Sequence, residues 1–256
     1  LTIKAETITN ENNNAENKGL VSGLGINILA GSGGIINKNG LIYSESAINI
    51  ESDSDVINKE SSDLVSVGDI TIKTPATVKN DASTIWSGRD VIIKTKEDGF
   101  ITKLENSGLI EATSKLIIKA SSILNDLVLR AKDSIGLAAD TEGIANNGTI
   151  ETDTDLTLSS QGVITNTGTM SSLDQTSLTA KNNIENDGGL IQADGNLDIT
   201  SQTGSVTNKN EGILYTNTQL VINAASDITN EASNILANGH LKLKSAAGNI
   251  FNLAKD

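Results

Sequence analysis

Cysteine is absent, and proline and histidine occur once each, as Pro75 and His240. Without thiols there can be no disulfide and no thiolate site. One imidazole gives a Ser-His-Asp triad or a histidine zinc site little to build on. Aromatic residues make up only 2% of the 256 residues. They bury the most area per side chain, so thin aliphatic layers are expected in place of one thick core. Basic residues are scarce: 19 against 32 acidic, a net charge of −13. That balance disfavours nucleic acid and anionic lipid as partners. No apolar run approaches the roughly 18 residues of a membrane helix, so this segment is not expected to insert into a bilayer.

What is abundant is Asn and Gly, 29 and 23 residues, and so many turn-formers argue against a helical protein. A motif Φ-x-Asn, with Φ an aliphatic residue, recurs along the chain. Its asparagines are Asn10, Asn37, Asn58, Asn80, Asn106, Asn125, Asn146, Asn166, Asn186, Asn208, Asn230 and Asn252, at a mean spacing of 22 residues. A second apolar column runs in step: Ile42, Val65, Ile85, Ile110, Val128, Ile150, Met170, Ile191, Leu214 and Leu236. A Φ-x-Φ pair follows, as in Ile48/Ile50, Ile70/Ile72, Leu116/Ile118, Leu156/Leu158, Leu197/Ile199 and Leu241/Leu243. Alternation over such short stretches is a strand signature.

A unit of about 22 residues cannot bury its own apolar face and must stack on its neighbours. The predicted fold is therefore all-β, a right-handed parallel β-helix of about 12 turns forming one solenoid domain over residues 1–256. The Asn column has a physical rationale. Asn tolerates a left-handed corner, and its amide can pair with the Asn one turn above and below. Two spacings are long. One surplus lies within Glu11–Gly25 and the other at Lys96–Gly99, both read as corner loops.

Candidate chemistry is thin. His240 reads as a corner residue. Asp153 with Asp155, or Glu51 with Asp53 and Asp55, could in principle form an acid/base pair or a calcium site. No stacked Asp column supports this, so no catalytic residue, metal or cofactor is assigned. Lys73, Lys94 and Lys119 follow the Φ-x-Φ pair in successive turns and make a basic column that could meet a polyanion; Glu51 lies one turn before Lys73 and could relieve it. The position after the second-column residue should face outward. It reads Tyr43, Ser66, Trp86, Glu111, Leu129, Glu151, Ser171, Gln192, Tyr215 and Ala237. Every Trp and Tyr of the chain falls in this column, a candidate sugar-stacking or protein-contact face.

Residues 143–170, GIANNGTIETDTDLTLSSQGVITNTGTM, and 184–208, IENDGGLIQADGNLDITSQTGSVTN, carry a pattern of Asn-x-Gly-x-Ile followed by a Leu-x-[Ile/Leu] strand. They resemble the repeats of filamentous haemagglutinin and of contact-dependent growth inhibition exoproteins. The resemblance implies an interior fragment of a large exoprotein that leaves the cell through a two-partner-secretion transporter of the outer membrane. It implies a surface location, a receptor or glycan on a target cell as partner, and a non-enzymatic role as filament shaft. The family's Asn-Pro-Asn motifs do not occur, since Thr74 precedes Pro75. The alternatives are a solenoid that itself binds glycans or receptors through its aromatic and basic columns, and a polysaccharide-degrading β-helix enzyme.

Overall fold

A computed structural model describes residues 1–11 and 19–254. It contains 29 strands, and no helix occurs among the described residues. The fold is a parallel β-solenoid of about 12 turns, each of about 21 residues. The chain forms two compact units, Leu1–Lys132 and Asp133–Asp256. Each holds six of the column asparagines.

One coil of the second unit shows the plan. It consists of strands Ile184–Asp187, Leu190–Ala193 and Leu197–Ser201. Each lies parallel and in register on its equivalent one coil later: Ile184↔Val206, Ile191↔Leu214, Leu197↔Leu220 and Ile199↔Ile222. The inward residues are thus stacked aliphatics, and Ile191, Leu197 and Ile199 are fully buried. Each such burial stabilises the fold by about 1.5–3 kcal/mol. Parallel strands suit this use because the polar turns at three corners return the chain one strand spacing further on, ~4.8 Å. The first unit repeats the plan, with Ile48↔Ile70↔Val91↔Leu116 as one inward ladder.

The Φ-x-Asn and Φ-x-Φ columns stack in register and are buried in the interior coils, while Leu241 and Ile250 of the last described coil are about half exposed. The second column needs three corrections. Leu64, not Val65, stacks on Ile42 and Ile85. Leu129, not Val128, stacks on Ile110, and Ile235, not Leu236, stacks on Leu214. Leu64 and Leu129 are buried, while Val65 and Val128 are only partly so. A one-residue slip in a strand exchanges its two faces. The outward column therefore contains Val65, Arg130 and Leu236 in place of Ser66, Leu129 and Ala237.

The asparagine column forms a directional amide ladder. Nδ2 of each Asn donates to Oδ1 of the Asn one coil later. In the first unit this runs from Asn10 to Asn37 (2.9 Å), Asn58 (2.7 Å), Asn80 (2.9 Å), Asn106 (2.9 Å) and Asn125 (2.8 Å). In the second it runs from Asn146 through Asn166, Asn186, Asn208 and Asn230 to Asn252, every step 2.8 or 2.9 Å. The remaining amide hydrogen meets corner carbonyls, as from Asn186 to Gly189 (2.7 Å). No buried side-chain polar atom among the described residues lacks a partner.

The left-handed backbone expected at these asparagines is found beyond them, two residues later in five coils. Asn39, Glu60, Ala82, Asn210 and Ala232 have φ between 46° and 58°, while the column asparagines are strand residues. Their value lies in the amide. Glycine is required beside them where the chain doubles back closely: a Cβ on Gly189 would lie 2.3 Å from Asn166 Nδ2.

Two further corners carry small residues, Ser, Thr or Ala. Ser44, Ser66 and Ser87 form one such series, and each hydroxyl donates to a corner carbonyl: Ser44 to Ala47 (3.0 Å), Ser66 to Ser46 (2.8 Å) and Ser87 to Gly68 (2.7 Å). Thr176 is a polar residue in an inward position, and its Oγ1 lies 2.8 Å from Ser172 Oγ. Of the two surplus segments, residues 12–18 of the first lie outside the described residues. The second is a closed turn in which Thr95 N donates to Gly99 O (3.1 Å) and Gly99 N to Thr95 Oγ1 (2.8 Å).

Candidate functional site

The basic column is in register as expected, with Lys94 beside Lys73 on neighbouring strands and Lys119 one coil further on. It is not an open cationic face. Lys73 Nζ lies 3.1 Å from Glu51 Oε1. The turn at residues 95–99 bends Asp98 over the other two, 2.9 Å from Lys94 and 2.7 Å from Lys119. Hydrogen bonds from Lys119 and then Lys94 hold the Asp98 carboxyl at about 2, well below the ordinary 3.8. Lys96, from the same turn, reaches Asp53 at 2.9 Å, and that hydrogen bond raises its ammonium pKa. Exposed pairs of this kind are worth little to stability. Their effect is on recognition, because each lysine already faces a carboxylate.

The acidic candidates are likewise engaged. Glu51 and Asp53 hold lysines, and Asp55 Oδ1 accepts from Thr77 N (3.0 Å). Asp153 and Asp155 are exposed beside a corner. No group of three or more His, Asp or Glu among the described residues is placed to hold a metal ion. His240 is an exposed corner residue whose carbonyl accepts from Leu220 N (2.8 Å). A groove of about 630 Å³ runs past Lys4, Glu6, Leu29, Glu51, Asp53 and Lys96. The surplus at Lys96–Gly99 marks this turn in the sequence, but its reach to Asp53 depends on how the turn folds back.

The aromatic column divides. Tyr43 and Trp86 flank Val65 on three consecutive strands of the first unit, with Cα partners Tyr43↔Val65 and Val65↔Trp86. All three are partly exposed. The rungs on either side are polar: Ser22 pairs with Tyr43, and Glu111 with Trp86. No matches were found among protein-family models, curated proteins or solved structures. Tyr215 belongs to the second unit, between Gln192 and Leu236. Its hydroxyl donates to Asn217 Oδ1 and accepts from Asn238 Nδ2 (3.0 Å). Asn217 in turn donates to Asp194 (3.1 Å). Tyr215 thus anchors a corner network. By contrast, no described residue bonds to Tyr43 Oη or Trp86 Nε1.

Proposed function

We propose that this chain is a structural shaft of a secreted bacterial surface filament, of the filamentous haemagglutinin or contact-dependent inhibition kind, that carries binding or toxic modules. The observation behind this reading is uniformity. One coil plan, with its Asn ladder and aliphatic ladders, recurs in both units, and each coil packs on its immediate neighbours. Such a body gains length by adding coils and needs no special residue to do its work. Passage through a two-partner-secretion transporter with folding outside suits a chain that has no cysteine to oxidise and whose coils can form one after another.

The test is a change of length without a change of surface chemistry. Deleting residues 147–186 removes two coils of the second unit and joins Asn146 to Asp187, an equivalent corner. In cells displaying the protein, contact-dependent adhesion or inhibition is expected to persist. Abolition of activity by this deletion, with the shortened protein folded and on the surface, would refute the shaft.

A further inference from the structure

The three-rung strip of Tyr43, Val65 and Trp86 has features that a spacer does not need. Its two rings are partly exposed, stand on either side of Val65 in one column, and have no hydrogen-bond partner among the described residues for their polar edges. They lie two strand spacings apart, about 10 Å. The strip is one side chain wide and is bounded by the polar rungs Ser22 and Glu111. Around it stand Asp63 and Thr84, two residues before Val65 and Trp86 on their strands, and Glu45 at the corner beyond Tyr43. Carboxylates and a hydroxyl therefore border an apolar centre.

We propose that Tyr43, Val65 and Trp86 bind a neutral, extended β-linked glycan laid along the coil axis, with one sugar ring over each coil. Three observations converge on that chemistry. An extended β-linked chain advances by about 5 Å per sugar, close to the strand spacing of ~4.8 Å, so sugar and protein stay in step over three rungs. The C–H faces of sugar rings stack on aromatic faces, while Tyr hydroxyl and Trp N–H supply polar edges for the ring hydroxyls. Charge selects against anionic glycans. Glu45 and Asp63 lie beside the strip, Glu111 already holds Arg130 (3.4 Å), and the lysines of the basic column face Glu51 and Asp98, so no unpaired cation of these columns adjoins the rings. The site is independent of the shaft reading, since a spacer and a lectin-like strip can share one solenoid.

Trp86 is the only tryptophan, so its emission reports on the strip directly. The whole chain is titrated with the hexasaccharides of β-1,4-linked N-acetylglucosamine and of β-1,4-linked glucose, and with a heparin-derived hexasaccharide. A saturable change in Trp86 emission is expected with at least one neutral hexasaccharide and not with the sulfated one. Tyr43→Ala should weaken that binding at least tenfold. Tyr215→Ala, a ring of the same column in the other unit, should leave it within twofold. Circular dichroism verifies that each variant is folded. No response to either neutral sugar at millimolar concentration would overturn the proposal, as would equal binding of the sulfated sugar or equal loss in Tyr215→Ala. A Trp86 shift that tracks protein concentration without sugar, with self-association in sedimentation, would reassign the strip to a contact between copies.

Discussion

Asn166→Asp tests the amide ladder, because it keeps the shape of the side chain and removes only its donor. In the native protein, Asn166 Nδ2 donates to Asn186 Oδ1 (2.8 Å), Gly168 O (3.1 Å) and Leu190 O (3.2 Å), while its Oδ1 accepts from Asn146 Nδ2 (2.8 Å). The side chain is fully buried. The introduced carboxyl would still accept from Asn146, but its second oxygen would face three acceptors. When protonated it can donate once, to Asn186, and the loss should be about 1 kcal/mol. When ionised it is a buried charge opposed by oxygens, and the loss should reach about 3–5 kcal/mol. The difference, ~2–4 kcal/mol, raises the folded-state pKa by roughly 1.5–3 units above the unfolded value near 3.9. Between those two values the folded state binds more protons than the unfolded state, so the variant loses stability as pH rises. Urea denaturation followed by circular dichroism, run beside wild type at pH 4 and pH 7.5, should show a small deficit in acid and the full deficit at the higher pH. Asn166→Ala should show a deficit that does not change with pH. A deficit for Asn166→Asp that is equal at both pH values would refute the reasoning.

The remaining predictions concern register and the lysine column. Leu64→Asp should cost several kcal/mol, because it buries an unpaired carboxylate, while Val65→Asp should cost under about 1 kcal/mol; denaturant midpoints that moved equally would contradict the register described. The Asp98 carboxyl should titrate at about 2 in a carbon-detected NMR titration, and Lys94→Met with Lys119→Met should return it towards 3.8. Because that pKa is lowered in the folded state, its stabilising contribution is complete above about pH 4 and is lost as pH falls towards 2. The shift should shrink in molar salt, since the pairs are exposed.

Most of the fold was legible because the apolar columns recur at one spacing and only stacked coils can bury them. Register failed where two aliphatic residues stood side by side: Leu64-Val65, Val128-Leu129 and Ile235-Leu236. Either member satisfies an apolar column. The small residue at the next corner resolves the choice, since Ser66, Ala131 and Ala237 each follow the inward residue by two. The asparagine column is legible, but the left-handed residues lie beyond it, two positions later in five coils. The neutralisation of Lys73 by Glu51 could be read from stacking alone. The path by which Asp98 returns over Lys94 and Lys119 could not, because it depends on how a surplus turn folds back. The distinction between Tyr43 and Tyr215 was also hidden, since it rests on corner amides that approach one ring and not the other.

The asparagine ladder has a sense of direction, and that makes each unit electrically polar along its axis. Every amide within a unit points its N–H towards higher residue numbers and its oxygen towards lower ones. The dipoles therefore add, and hydrogen bonds in such a file polarise one another. A rung in the middle of the file is strengthened from both sides, whereas a rung at its edge is strengthened from one. Tampering with a central asparagine should consequently disturb neighbours it never touches, and the coils cannot be treated as interchangeable beads even though their sequences nearly are.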